Sequence, residues 1–154
     1  PDAILRGVNE ELASRNPRGL FVSLFCAVVD LTRRRMSIAN CGHPPPVLLR
    51  EGHPPELVFP ATGTVAGAIP GIDIRRRTVP LVRGQTYVLY TDGVTEAFDP
   101  EGVQFGYDRL LAALSASASA PASEVVRAVV RAVATHARGA PPSDDLAVLV
   151  MRVP

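Results

Sequence analysis

The pattern of apolar and polar residues begins with a segment of helical period. Apolar positions from Ile4 to Leu12 recur every three or four residues, which predicts a helix over residues 2–15. Pro17 ends this helix, because the residue before a proline is pushed out of the α region. The chain therefore opens with one amphipathic helix.

The next segment predicts a hairpin. The nearly unbroken apolar run from Leu20 to Leu31 is typical of a strand covered on both faces, and residues 36–41 form the returning strand. A turn centred on Arg33-Arg34 places Cys26 opposite Cys41. Directly opposed Cβ atoms are about 4.5–5.5 Å apart, farther than a disulfide allows, so we expect two neighbouring free thiols.

The rest of the chain continues with short strands and then helices. Further strands are predicted at 47–50, 56–59, 74–82, 85–90 and 146–153, and helices at 107–114 and from Pro121 to about residue 138. Aperiodic segments cover 60–72 and 91–105, and the Ser/Ala stretch 115–120 is predicted to be a linker. This order differs from the alternation of a doubly wound sheet. It predicts one α+β domain over residues 1–154 with mostly antiparallel sheet.

Composition excludes several classes of protein. With 47% hydrophobic and 20% charged residues, the 154-residue chain is no disordered tail. A net charge of +1 argues against a nucleic-acid binder, so the arginine triplets 33–35 and 75–77 are interpreted as solvated strand ends. No apolar run is long enough for a membrane span. Two cysteines make no disulfide scaffold, which favours the cytoplasm.

Carboxylates at the ends of two apolar strands are the main candidates for chemistry. Asp92 follows the strand that ends at Tyr90, and Asp144-Asp145 precede the strand that begins at Leu146. Two such acids can share a Mg²⁺ or Mn²⁺, and Gly93 would let a ligand approach the backbone. Taken alone, Asp-Gly and Ser-Asp-Asp are also ordinary turn sequences.

Other polar residues are given structural interpretations. His43 lies in a Pro-rich turn and is expected to be structural, and His53 and His136 are expected to face solvent. Ser23 and Ser143 have no histidine at a spacing typical of a catalytic pair and no G-x-S-x-G turn, which argues against a serine hydrolase.

Several segments, in order, resemble one family. The stretches LFVSLFCAVVDL, ANCGHPPPVLL, LYTDGVTEAFDPEGVQFG and SDDLAVLVMR look like the SpoIIE-like bacterial branch of the PPM-type metal-dependent serine/threonine phosphatases. The resemblance implies an α-β-β-α sandwich fold. It also implies an enzyme that hydrolyses phosphoserine or phosphothreonine on a protein. It implies Asp92 and Asp144 as metal ligands, with Asp145 and Gly93 as close neighbours of the site.

The chain also departs from the family pattern. Ala147 stands where the family often has Thr, and no Gly-Asp-x-x-Gly-His-Gly-like segment, which supplies a bridging acid in the family, is present. We therefore expect this sequence to lack the N-terminal strands of the complete domain, which would hold two Mn²⁺ or Mg²⁺ ions.

Two functions remain open from the sequence. The first is a phosphatase domain that acts on a phosphorylated regulator of the anti-anti-sigma type. In this case we expect a sensory domain upstream in the same protein and a homodimer. We expect no nucleic acid or membrane partner. The second is a non-catalytic or degenerate phosphatase domain that binds a partner or dimerises. On either reading we expect the 154 residues alone to be inactive.

Overall fold

The structure, a computed structural model, describes all 154 residues. The helices are α1 (Asp2–Ser14), α2 (Asp92–Thr95), α3 (Gly106–Leu114) and α4 (Ala122–Ala137), and the strands are β1 (Leu24–Asp30), β2 (Arg35–Cys41), β3 (Val47–Leu49), β4 (Glu56–Leu57), β5 (Arg77–Pro80), β6 (Thr86–Tyr90) and β7 (Val148–Arg152). All strand ladders are antiparallel, so the predicted α+β class with antiparallel sheets is confirmed.

The chain divides into two compact units. The first unit contains residues 1–45 and 59–82, and the second contains residues 46–58 and 83–154. Each unit has one sheet, with strand order β1-β2-β5 in the first and β4-β3-β6-β7 in the second. The single domain over residues 1–154 stays a prediction.

The β1–β2 turn of the first unit lies one residue earlier than predicted. Asp30 accepts hydrogen bonds from the backbone N–H of Arg33 at 2.9 Å and from its guanidinium at 3.0 Å, and Arg34 adopts φ 48°. These bonds fix a four-residue turn in which Asp30 pairs with Arg35. Asp30 thus sets the register of the whole hairpin.

The predicted pairing of the two cysteines is therefore wrong. Cys26 lies opposite Ala39, and Cys41 lies opposite Leu24. Because the turn has an even number of residues, four, both thiols stay on the same face of the sheet, where they are diagonal neighbours. Both are free, as predicted, and Cys41 is fully buried.

The apolar run that begins at Leu20 is only partly a strand. The side chain of Asn16 binds both the N–H and the carbonyl of Leu20, which holds the residues before β1 out of the sheet. Leu20 and Phe21 are each 68% exposed, and Val28 and Val29 of β1 remain partly exposed. The prediction of a strand covered on both faces is wrong in this structure.

The aperiodic loop 60–72 is held against α1 by a buried amide. Asn9 is fully buried, and its Oδ1 accepts from the N–H of Gly67 at 2.9 Å while its Nδ2 donates to the carbonyl of Ile69 at 3.1 Å. Glu10 accepts from the N–H of Gly71 at 2.7 Å. Backbone groups of a loop without regular structure thereby find partners on a helix.

The second unit has the larger core, between its sheet and its helices. Buried side chains of β3, β6, the helical and loop segments from α2 to α3, and α4 form one cluster: Val47, Leu49, Val88, Tyr90, Val94, Ala97, Phe105, Leu110, Leu114, Val125, Val129 and Val133. The α4 residues are four apart and so share a face. Val130, predicted on the same face, is 44% exposed.

Two irregular segments have more structure than predicted. Residues 91–105 contain the four-residue helix α2 and an isolated bridge between Phe98 and Gln104. In the predicted linker 115–120, Ser117 is buried and Ala118 packs against the core. Part of this stretch therefore packs against the core, while Ser115, Ala116 and Ser119 remain exposed.

No helix of the chain is both long and apolar enough to cross a membrane.

Candidate metal centre

Asp92 lies where a buried strand turns into a helix. Strand β6 is almost entirely buried, Thr91 leaves it in an extended conformation, and Asp92 is the first residue of α2. Its Oδ1 accepts from the N–H of Gly93 at 3.1 Å, and the side chain is exposed. The strand therefore supplies a rigid base that presents this carboxylate to solvent.

The backbone of Gly93 brings the second acidic segment beside the first. A Cβ on Gly93 would lie 2.6 Å from the carbonyl oxygen of Asp145 and 3.3 Å from the carbonyl carbon of Asp144. Only a residue without a side chain fits here, although the φ of Gly93 is not positive. Two acidic segments predicted from separate strands are thus brought together, as expected for a shared site.

The hydroxyl of Thr91 stabilises the contact between Gly93 and the Asp144-Asp145 peptide. The hydroxyl donates to the carbonyl of Asp145 at 2.8 Å and accepts from the N–H of Ala147 at 2.9 Å. The Thr91 N–H also donates to the Ala147 carbonyl at 3.1 Å. Ala147 contributes only its backbone to these contacts. The presence of Ala where the family often has Thr therefore leaves the hydrogen bonds to Thr91 unchanged.

A second hydroxyl joins the loop before Asp144 to the end of α2. Ser143 donates from its Oγ to the carbonyl of Glu96 at 3.0 Å. This bond occupies the hydroxyl in a structural contact, in agreement with the interpretation that Ser143 is no nucleophile.

The two candidate ligands have carboxylate oxygens available. Asp144 is exposed, its Oδ1 accepts from the N–H of Asp145 at 2.7 Å, and neither Asp92 nor Asp144 takes part in an ion pair. Unpaired carboxylates held together would repel each other, and a divalent cation removes that repulsion.

The chemistry of this pair fits a hard divalent ion. Mg²⁺ and Mn²⁺ prefer oxygen ligands, and Mg²⁺ is commonly bound by one or two carboxylates together with water and substrate phosphate. Nowhere in the 154 residues do three His, Cys, Asp or Glu side chains come together in a way that could hold an ion. The chemistry of Asp92 and Asp144 therefore suits one ion, whose remaining ligands would come from outside this pair.

The structure pairs one serine with a histidine that sequence spacing did not connect. The Oγ of Ser23 lies 3.1 Å from Nδ1 of His43, so the expectation that neither serine has a histidine partner is wrong for Ser23. The buried Asn40 accepts from the N–H of His43 at 2.9 Å and donates to its carbonyl at 3.0 Å. These bonds to both backbone groups agree with a structural role for His43.

The other two histidines differ from each other. His53 is exposed, as predicted. His136 is half-buried: its Nε2 lies 2.9 Å from the Val103 carbonyl oxygen, and its ring meets Phe105 edge-on. Packing against the loop after α2 thus overrides the solvent-facing prediction for His136.

Sequence reasoning missed Thr91 as a part of the site. The available signal was its position, since it directly precedes Asp92 at the end of a buried strand. A threonine there can bond to the neighbouring strand through its hydroxyl, while its β-branched side chain suits extended backbone.

Curated relatives match part of the chain. It is 31% identical over 115 residues to Protein IcfG from Synechocystis sp., and 24% identical over 102 residues to phosphoserine phosphatase RsbU from Bacillus subtilis. The matched segments cover 73% and 66% of this chain but only 18% of IcfG and 30% of RsbU. The chain thus spans less than a third of either relative.

Solved structures match the fold over almost the whole chain. The SiaA-PP2C domain of Pseudomonas aeruginosa has a TM-score of 0.82 at 26% identity, with 100% of this chain and 61% of that chain covered. The phosphatase domain of SpoIIE from Bacillus subtilis, presoaked with Mn, has a TM-score of 0.70 at 19% identity, with 99% and 67% covered. The catalytic domain of the serine/threonine phosphatase PstP, in complex with 2 manganese ions, has a TM-score of 0.66 at 18% identity, with 97% and 67% covered.

The family model described as stage II sporulation protein E (SpoIIE) matches residues 1–154. The expected resemblance is confirmed by this match and by the PP2C fold of the neighbours. The chain belongs to the SpoIIE family and has the fold of PP2C phosphatase domains.

Proposed function

We propose that this chain forms the Asp92–Asp144 part of a metal-dependent phosphoprotein phosphatase site. The observation that supports the proposal is the contact of the Gly93 backbone with the Asp144-Asp145 peptide, which brings together the two backbone segments that carry Asp92 and Asp144. A bound Mn²⁺ or Mg²⁺ would supply an activated water and neutralise phosphate charge. The chain's own residues would hold and orient that ion, with Asp145 and Gly93 supporting the geometry.

We propose further that the substrate is a phosphorylated regulatory protein of the anti-anti-sigma type. Support comes from RsbU, a phosphoserine phosphatase that is 24% identical over 102 residues. An upstream sensory domain and a homodimer are proposed for the longer protein, whose curated relatives extend well beyond the matched segments. A cytoplasmic location stays a prediction.

The experiment uses the full-length protein that contains this chain. Release of phosphate from a phosphoserine anti-anti-sigma protein is measured with and without millimolar Mn²⁺. We expect Mn²⁺-dependent turnover that Asp92→Asn and Asp144→Asn each reduce by roughly 100-fold or more, since each removes a charged ligand. Turnover that persists in both variants would contradict the proposal.

One observation favours a second candidate, a domain that binds a partner without catalysis. No three metal-ligating side chains come together in these 154 residues. Two carboxylates alone bind Mg²⁺ weakly without a substrate phosphate. We therefore expect the 154-residue chain by itself to hydrolyse p-nitrophenyl phosphate no faster than a blank, and a full-length protein that is also inactive would favour this candidate.

A further inference from the structure

A cleft in the second unit begins directly at the candidate metal centre. Gly93 and Asp144 form part of its wall, and it continues between the loop after α2 and the segment that follows α4. Phe98 and Leu146 also line it, and they are 39% and 40% exposed. The cleft therefore adjoins the proposed ligands and presents large apolar side chains to solvent.

The surface inside this cleft is mainly apolar. Val133 of α4 and Pro142 contribute to the lining, and Ser143, which is also there, donates its hydroxyl to the Glu96 carbonyl. With this hydroxyl occupied, the lining offers mostly apolar contact to a ligand. An apolar group can enter at little cost in lost hydrogen bonds.

Acidic residues lie in the wall of the cleft and directly beside it in the chain. Asp144 is part of the wall, and Asp92, Glu96 and Asp145 each adjoin a lining residue in sequence. All four are exposed, and none takes part in an ion pair. When Asp92 and Asp144 hold a divalent ion, the carboxylates of Glu96 and Asp145 would still repel an acidic ligand side chain. The apolar lining and these two carboxylates together favour an apolar side chain over an acidic one.

We propose that this cleft binds an apolar side chain of the phosphoprotein substrate close in sequence to the phosphorylated residue. This inference rests on the proposed function. Because Asp144 belongs to both the candidate metal centre and the cleft wall, residues next to a phosphorylated residue bound at the metal would lie close to the cleft. An extended chain advances about 3.3 Å per residue, so the side chain that enters lies within a few residues of the phosphate.

The test compares peptide substrates on the full-length protein with Mn²⁺. Synthetic phosphoserine peptides on an Ala/Gly background carry one leucine, or one aspartate, at each position from three before to three after the phosphoserine. We expect leucine at one or two positions to raise kcat/KM by roughly 10-fold, the scale on which a hydrophobic pocket discriminates, and aspartate there to lower it.

Variants connect that preference to the cleft. Phe98→Ala and Leu146→Ala should each remove most of the leucine preference, expressed as the ratio of kcat/KM for the leucine peptide to kcat/KM for the Ala/Gly peptide, so that a general change in activity cancels. Leu149→Ala is the matched control, because Leu149 is 60% exposed in β7 and does not line the cleft. The control should keep the leucine preference.

The outcomes separate the cleft from the proposed function. If p-nitrophenyl phosphate is hydrolysed but peptides show no leucine preference, or the preference survives in both cleft variants, the cleft proposal is wrong and the phosphatase proposal stands. If the full-length protein hydrolyses neither kind of substrate with Mn²⁺, both proposals are wrong.

Discussion

Replacement of Gly93 by alanine tests the contact that joins the two acidic segments. The added Cβ would lie 2.6 Å from the Asp145 carbonyl oxygen and 3.0 Å from its carbonyl carbon. Ordinary van der Waals contacts begin near 3.4 Å, so the two backbones must separate by about 0.8 Å to relieve the contact. The neighbouring atoms are backbone, which cannot rotate away as a flexible side chain could.

The magnitude follows from two opposing effects. Overpacking in a close contact costs about 1–3 kcal/mol, and the 2.8 Å bond from Thr91 to Asp145 would be stretched as well. Alanine regains at most about 1 kcal/mol as a better helix former than glycine. We therefore expect Gly93→Ala to lower the free energy of unfolding by about 1–2 kcal/mol.

The functional loss should exceed the loss of stability. A misplacement of about 1 Å in catalytic geometry costs on the order of 100-fold in rate. We expect Gly93→Ala to reduce Mn²⁺-dependent kcat/KM of the full-length protein by about that factor under conditions where it stays folded. Urea unfolding and phosphate release measure the two effects separately.

Gly7→Ala is the matched control, because Gly7 lies within α1 and a Cβ there meets nothing within 4 Å. It should raise the free energy of unfolding by about 0.5–1 kcal/mol and leave turnover unchanged. A Gly93→Ala protein with the stability and turnover of the wild type would refute the reasoning about this contact.

Three further predictions concern stability, measured by urea unfolding. Thr91→Val should lower the free energy of unfolding by about 1 kcal/mol, because it removes both hydrogen bonds of the hydroxyl, whereas Thr91→Ser keeps them. Equal losses of stability in the two variants would contradict a role for these bonds. Asn9→Ala should cost about 1–3 kcal/mol, because it leaves buried loop groups without partners, and a neutral effect would contradict this. Burial raises the pKa of Tyr90 above its ordinary 10.0, so the unfolded state loses its proton first and stability falls as the pH rises above about 10. Tyr90→Phe should make that fall shallower, and an unchanged slope would show that another group causes it.

Periodicity predicted the elements whose local signals agree with their packing. The α1 helix and the β7 strand lie within two residues of their predicted limits, because α1 has an apolar face and a proline that ends it and β7 is a nearly continuous apolar run. Asp92 and Asp144 stand out in the sequence for a related reason, since carboxylates at the ends of buried strands conflict with the apolar pattern, and their role as ligands stays a prediction.

Other features depend on contacts between distant residues, which a local pattern does not contain. The register of the β1–β2 hairpin depends on which residues Asp30 binds, and a shift of one residue in the turn moved the cysteines from opposed to diagonal positions. The pairing of Ser23 with His43 joins residues twenty positions apart. Only the folded chain brings such groups together.

The central claim is that Asp92 and Asp144 jointly hold a divalent ion. The most direct measurement is the Mn²⁺ affinity of the full-length protein, obtained from the loss of the electron paramagnetic resonance signal of free Mn²⁺. It compares the wild type with Asp92→Asn and Asp144→Asn. The control is Asp108→Asn, because Asp108 is an acid in α3 that lines no part of the cleft. We predict that each site variant weakens binding at least 10-fold, that the double variant weakens it little further, and that the control binds like the wild type. Binding of Mn²⁺ with wild-type affinity by either site variant would contradict the claim.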